Sequence, residues 1–143
     1  MAIKKSASAV WSGGIKEGIG SISTETGVLN KAPYGFKARF EDGPGTNPEE
    51  LIGAAHAGCF TMALSGVLEK AGLKATTMET KATVTLEKQG EGFAITAIHL
   101  ALTATIPGAT DEAFQAAAKD AKANCPVSKL FNAAITLDAT LNA

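Results

Sequence analysis

The first third of the chain is a Gly-, Ser- and Thr-rich region in which apolar and polar residues alternate in short runs. Three such runs, at about residues 7–12, 18–24 and 35–40, predict the strands of an antiparallel sheet. Successive side chains of a strand point to opposite faces, so Phe36 and Arg39 of the third run would lie on opposite sides. We therefore expect Arg39 to point away from the core of its own sheet.

A long apolar segment follows, and residues 47–50 (Asn-Pro-Glu-Glu) have the composition of a helix start: an N-cap, a proline and two acids. Glu50 also completes a capping-box pattern. The helix should run to about Lys70 and stop at Gly72. Residues 51–68 carry no charge, but their glycines and alanines favour a helix buried on all sides by protein over a membrane span. In a chain this short, such burial implies a second subunit.

The remainder of the chain shows clear strand and helix periods. They predict two long strands joined by a Gly-containing turn, a helix, a short helix that begins at a proline, and a closing strand. The two long strands should cover about residues 79–88 and 93–106, and the helix about 111–122. The short helix should begin at 126, and the closing strand should cover about 135–141. The order of elements predicts an α+β fold with antiparallel sheets, formed by a single domain over residues 1–143 without internal repeats.

Composition and charge exclude several classes of protein. The 143 residues are 45% hydrophobic and 19% charged, which is typical of a folded globular domain. A net charge of -1 and a pI near 6.1 provide no basic surface for nucleic acid. The first residues contain no apolar segment or cleavage site of a secretory signal, so we expect a cytoplasmic protein with reduced thiols.

The two cysteines are the main candidates for chemistry. Cys125 precedes Pro126, a residue that fits the first position of a helix, so Cys125 would be an N-cap at which free amides favour a thiolate. The alternative is that Cys125 is a small buried hydrophobe, the commonest role of a free cysteine. Cys59 lies about three turns into its helix, where apolar surroundings would raise its pKa. A reactive Cys59 would therefore need a nearby cation, either Arg39 or His56.

Arginine is the better candidate for that cation, because it stays charged when desolvated and its fork can bind a thiolate and a carboxylate together. Glu49 could be that carboxylate and orient Arg39. The alternative is that Glu49 only complements the helix dipole and that Arg39 is a solvated surface residue. Ten residues of helix place Glu49 and Cys59 about 15 Å apart. A shared site thus needs Arg39 to bridge the gap, or a second chain to provide Arg39 and Glu49.

Other kinds of site have weaker support. His56 and His99 could join the cysteines around zinc, but neither Cys-x-x-Cys nor His-x-x-x-His spacing occurs. Either histidine could activate Cys59 as in a cysteine hydrolase, although no nucleophile-elbow motif accompanies it. No glycine pattern matches a phosphate-binding loop, so no bound nucleotide cofactor is expected.

Several motifs together closely resemble the OsmC/Ohr family, and its OsmC branch in particular. They are NPEELIGAAHAGCFTMAL at 47–64, GVLN at 27–30, PYGF at 33–36, and NCPVS at 124–128. The resemblance covers essentially the whole chain. It implies an intertwined homodimer with a long buried central helix and two sites at the subunit interface. It also implies a thiol-dependent peroxidase that prefers organic hydroperoxides.

By the same resemblance, Cys59 corresponds to the peroxidatic cysteine, Cys125 to the resolving cysteine, Arg39 to the arginine and Glu49 to the glutamate of the site. The implied cycle passes through a Cys59 sulfenic acid and a disulfide to Cys125, which an external dithiol, of lipoyl type, reduces. No cofactor or metal would be bound.

Apolar residues near the site would favour alkyl hydroperoxides by burying the alkyl tail. The candidates for this pocket are Phe36, Phe60, Met62 and Leu130. Two other functions remain open. The fold could bind a small apolar ligand with incidental cysteines, or it could be a redox sensor whose disulfide switches binding without turnover.

Overall fold

The structure, a computed structural model, describes residues 1–142, which group into two compact units divided between Leu51 and Ile52. The first unit contains a three-stranded antiparallel sheet of order β1-β2-β3 and one short helix. The elements are β1 (Ala7–Ser12), β2 (Ile19–Thr24), β3 (Ala32–Tyr34) and α1 (Phe36–Phe40). The sheet is antiparallel, as predicted, and the turns between its strands are short.

The prediction of a strand at 35–40 was wrong. The third strand ends at Tyr34, and residues 36–40 form helix α1. A run this short cannot distinguish the two-residue period of a strand from the 3.6-residue period of a helix, because Phe36 and Phe40 are also one helical turn apart. Their rings pack against each other with centroids 5.0 Å apart. The direction of Arg39 is therefore set by a helix and not by strand alternation.

Helix α2 (Pro48–Lys70) has nearly the predicted bounds. The Asn47 side chain accepts a hydrogen bond from the Glu50 backbone N–H at 2.7 Å, which confirms the N-cap. The Glu50 carboxylate accepts from the Thr46 hydroxyl at 2.7 Å instead of closing a capping box. Gly72 has a φ of 78°, the left-handed conformation expected just after a helix end.

The second unit contains a mixed sheet of order β4-β5-β6. Strands β4 (Thr77–Gln89) and β5 (Gly92–Thr105) pair antiparallel, as predicted. Strands β5 and β6 (Ala134–Asn142) pair parallel, so the prediction of purely antiparallel sheets was wrong here. The chain between them forms α3 (Asp111–Asn124) and α4 (Pro126–Leu130). A helical crossover of this kind is what parallel pairing of two strands requires.

The hydrophobic core of the second unit lies between the sheet and the helices. It consists of buried side chains from α2, β5 and α3, together with the residue just after β5 and the residue that joins α3 to α4. Its largest members are Phe60, Leu64, Leu68, Ile98, Leu100, Leu102, Ile106, Phe114 and Cys125. Cys59 is partly buried and packs against this core. The core thus contains one of the two thiols and contacts the other.

Helix α2 was expected to be buried on all sides, and within one chain it is not. Phe60, Leu64 and Leu68 are buried, whereas Gly58 and Met62 are exposed. By length and composition the helix could also cross a membrane, but core helices of soluble proteins meet the same criteria. In its most apolar 18-residue stretch, 28% is buried inside the chain. The exposed face consists mainly of small residues, so a second helix could approach it closely.

Candidate active site

Cys125 lies at the junction of two helices, where it ends α3 and caps α4. Its Sγ accepts a hydrogen bond from the Ser128 backbone N–H at 3.4 Å, so the predicted N-cap is confirmed. The residue is only 1% exposed. The two expectations for Cys125 are therefore both met in part: it is a buried core residue, and its sulfur receives a free helix amide.

Cys59 on α2 lies beside Cys125, close enough for the Cys125 thiol to raise the pKa of Cys59. Both are free thiols. Since the two residues are far apart in sequence and in different elements, folding alone brings their sulfurs together. This arrangement allows a disulfide to form between them.

Burial raises the pKa of the Cys59 thiol, as expected for a cysteine in apolar surroundings. The backbone N–H of Val127 donates to it and lowers the pKa, while the hydrogen bond and charge of Cys125 raise it further. The first turn of α4 donates one amide to each sulfur, from Val127 to Cys59 and from Ser128 to Cys125.

His56 is fully buried, and its Nε2 lies 2.7 Å from the Ser128 hydroxyl. That hydroxyl is in turn 3.1 Å from the Sγ of Cys125. Burial lowers the pKa of His56, so the imidazole is neutral near pH 7 and cannot serve as the cation for Cys59. Ser128 was not among the residues predicted for the site. Its position three residues after an N-cap could have identified it, because that residue donates its N–H to the cap.

His99 lies on β5 between two core residues, Ile98 and Leu100, and therefore points to the opposite face of the sheet. There it contacts the Thr136 hydroxyl at 2.6 Å and the Asp138 carboxylate at 3.1 Å. His99 is thus not part of the cysteine site, and it does not activate Cys59. Residues 1–142 contain no group of three or more side chains that could hold a metal ion.

Arg39 and Glu49 form a two-bond ion pair within the first unit. Nε of Arg39 donates to Oε1 of Glu49 at 3.2 Å, and Nη2 donates to Oε2 at 3.1 Å. The Glu49 side chain is 10% exposed and that of Arg39 is 40% exposed. The contact expected between these residues is present, although Arg39 lies on a helix. A two-bond fork fixes the plane of the guanidinium and leaves Nη1 outside the pair.

A cleft of about 220 Å³ adjoins this ion pair. It is lined mainly by aromatic side chains together with the guanidinium: Trp11, Ile15, Tyr34, Gly35, Phe36, Arg39 and Phe40. The rings of Trp11 and Tyr34 pack with centroids 5.4 Å apart. Of the residues expected to line a pocket, Phe36 lies here.

The other three residues expected to line a pocket belong to the second unit. Phe60 is fully buried in the core, so its side chain has no surface left for a substrate, and a role in substrate binding is not supported. Met62 and Leu130 are 78% and 77% exposed. Met62 and Leu130 therefore stay candidates only for contacts with a second chain.

The family model for OsmC-like proteins matches residues 41–140. Peroxiredoxin OsmC of Escherichia coli (strain K12) is 54% identical over 138 residues, which cover 96% of both proteins. The chain belongs to the OsmC family. The matched region contains both cysteines, helix α2 and Glu49, whereas Arg39 lies just before it.

Solved structures of OsmC-family proteins have the same fold. An organic hydroperoxide resistance protein, OsmC, from Legionella pneumophila is 25% identical, with a TM-score of 0.69 and full coverage of both chains. The organic hydroperoxide resistance protein OhrB of Bacillus subtilis is 26% identical, with a TM-score of 0.67 over 96% of this chain and 98% of that chain. The α+β fold implied by the sequence motifs is confirmed.

Proposed function

We propose that this chain is a cysteine-based peroxidase that reduces organic hydroperoxides to alcohols. The observation that carries the proposal is the contact between the free thiols of Cys59 and Cys125 at the first turn of α4. Its similarity to a peroxiredoxin and to two organic hydroperoxide resistance proteins supports the same chemistry.

Cys59 is the peroxidatic residue, because it is the more accessible of the two thiols. Its thiolate attacks the outer oxygen of the hydroperoxide, the O–O bond breaks, and the alcohol leaves after taking up a proton. Cys59 is then a sulfenic acid. The Val127 N–H favours the thiolate, but burial opposes it, so an additional cation would increase reactivity.

Arg39, oriented by Glu49, is the cation that we propose for this role. A guanidinium fixed by a carboxylate can stabilise both a thiolate and the charge that develops on the departing oxygen. We propose that the active protein is a homodimer. The exposed small-residue face of α2, which includes Gly58 and Gly66, supports this, because it suits close contact with a second helix.

The resolving residue is Cys125, which condenses with the sulfenic acid to give a disulfide and water. An external dithiol protein, of lipoyl type, then reduces the disulfide by exchange, so the enzyme needs no bound cofactor for this step. The proposed location of the cycle is the cytoplasm. The aromatic cleft beside Arg39 would hold the alkyl part of the substrate, since burial of apolar area is favourable by roughly 25 cal/mol per Å². Phe36 is its candidate specificity residue.

The deciding experiment follows the consumption of an alkyl hydroperoxide with a dithiol reductant. Cys59→Ser should abolish turnover, because the attacking sulfur is gone. Cys125→Ser should react once and then stall or over-oxidise. Full turnover by Cys59→Ser would contradict the proposal. A wild type that forms the disulfide but does not turn over with the dithiol would instead indicate the redox-sensor function.

A further inference from the structure

A row of hydrogen-bonded buried side chains connects His56 on α2 to the thiol of Cys125, the proposed resolving residue. His56 Nε2 lies 2.7 Å from Ser128 Oγ, and Ser128 Oγ lies 3.1 Å from Cys125 Sγ. The three residues are 0%, 7% and 1% exposed. Polar groups in a core are costly unless they are hydrogen-bonded, and a connected row of them can move a proton.

The donors and acceptors can be arranged in one continuous direction. The Ser128 hydroxyl can accept from the Cys125 thiol while it donates to His56 Nε2. His56 Nδ1 has no hydrogen-bond partner in the described part of the chain, so the bond to Ser128 is where the imidazole can exchange a proton. The Ser128 backbone N–H also donates to the Cys125 sulfur, which would stabilise a thiolate formed there.

Resting on the proposed peroxidase function, we propose that His56, acting through Ser128, takes the thiol proton of Cys125 when the disulfide forms. The proton of Cys125 passes to the Ser128 hydroxyl, whose own proton passes to His56 Nε2. The electron pair of the Cys125 sulfur then attacks the sulfenic sulfur of Cys59. The S–S bond forms and the S–O bond breaks, and the hydroxide takes a proton from solvent and leaves as water.

This step is balanced without another reactant. The sulfur of Cys59 is reduced from the sulfenic to the disulfide level, and that of Cys125 is oxidised to the same level. When the disulfide is later reduced, His56 returns its proton through Ser128 to the Cys125 thiolate. Cys59 is three residues further along α2 than His56, and Cys125 at the α3–α4 junction is linked to His56 through Ser128. Phe131 covers the ring edge-on at 5.4 Å. Burial lowers the pKa of His56, which leaves it neutral and able to accept a proton near pH 7.

The test uses a disulfide reagent and needs no peroxide. Dithiobisnitrobenzoate should react first with Cys59, with release of one coloured thiolate and formation of a mixed disulfide. Attack by Cys125 on that mixed disulfide then releases the second coloured thiolate. Stopped-flow absorbance separates the two releases. The first reports Cys59, and the second reports the removal of the Cys125 proton.

His56→Gln keeps a hydrogen-bonding group but cannot accept a proton, and Ser128→Ala breaks the chain of bonds. Both should slow the second release on the order of 10²-fold, the usual contribution of a general base, with little change in the first. Ser128→Thr, which keeps the hydroxyl, should restore most of the rate. His99→Gln is the matched control, because His99 lies on the opposite face of the sheet, and it should behave like the wild type.

The pH profile separates proton transfer from simple positioning. In the wild type the second release should be level near neutral pH and fall as His56 becomes protonated in acid. In His56→Gln it should rise about tenfold per pH unit, because only free thiolate reacts. A slow variant that keeps the wild-type profile would overturn the proposal, and so would wild-type rates in both variants.

The proposed function and this inference can fail separately. If the wild type forms no sulfenic acid with alkyl hydroperoxide, the peroxidase proposal fails, while the two-step reaction with the disulfide reagent still decides the role of His56. If peroxide is reduced normally but His56→Gln forms the disulfide at the wild-type rate and pH profile, this inference alone fails.

Discussion

In the second unit one thiol, Cys125, belongs to a closed core and the other, Cys59, packs against it, whereas in the first unit the guanidinium of Arg39 lies at an open aromatic cleft. Cys59 and Cys125 receive helix amides and contact each other within one chain. Arg39 is fixed by Glu49 but is 40% exposed. The comparison indicates that both thiols of the proposed disulfide belong to the second unit, while the cation proposed for the first oxidation belongs to the first unit.

The largest expected effect tests the packing difference. Phe114→Ala removes a fully buried ring and should lower the free energy of unfolding by about 3–5 kcal/mol. Phe36→Ala, its control in the open cleft, should cost about 1 kcal/mol. Chemical denaturation followed by circular dichroism measures both. Equal losses would contradict the distinction between closed core and open cleft.

The next effect tests the cation. Arg39→Ala should slow the first oxidation of Cys59 on the order of 10²-fold, because it removes charge stabilisation from the transition state. Stability should change by less than about 1 kcal/mol, since the ion pair is partly exposed. Single-turnover kinetics with an alkyl hydroperoxide measures the rate.

Lys37→Ala is the matched control for that experiment, because Lys37 is an exposed cation on the same short helix. It should leave the rate unchanged. If Arg39→Ala and Lys37→Ala behave alike, the cation beside Cys59 is another residue, and the ion pair with Glu49 only contributes to the structure of the first unit.

A smaller effect is expected for the residue that orients the arginine. Glu49→Gln weakens the two-bond fork by about 1.5 kcal/mol, so the first oxidation should slow roughly tenfold. Glu50→Gln, the neighbouring acid in the same helical turn, is the control and should have the wild-type rate. A Glu49→Gln variant as slow as Arg39→Ala would mean that Glu49 does more than orient the guanidinium.

The smallest effect concerns the pH dependence of stability. The pKa of His56 is lowered in the folded chain, below its unfolded value of about 6.5. The unfolded state therefore binds the proton first, and the contribution of neutral His56 is present above pH 6.5 and lost as the pH falls. The loss amounts to at most about 1.4 kcal/mol per pH unit.

Denaturation of the wild type and His56→Gln between pH 7 and pH 5 measures this contribution. The difference in stability between the two should shrink as the pH falls, and His99→Gln should follow the wild type. A constant difference would show that His56 titrates alike in the folded and unfolded chain, and it would weaken the case for a neutral proton acceptor beside Ser128.

Local residue patterns were sufficient for the elements with strong signals. The Asn47 cap, the end of α2 before Gly72 and the cap of α4 by Cys125 all depend on contacts within a few residues, and the structure confirms them. Short or ambiguous runs were less informative. Residues 36–40 fitted a strand and a helix equally well, and packing of the two phenylalanine rings coincides with the helix.

By itself the sequence determined the family, the two candidate thiols and the boundaries of the long helix α2, because these depend on residue type and on neighbours close in the chain. Only the tertiary structure decided that β5 and β6 pair parallel, that α4 donates an amide to Cys59, and that His56 contacts Ser128. These contacts join residues that are far apart in sequence. Their formation depends on packing of the whole core, which no local pattern records.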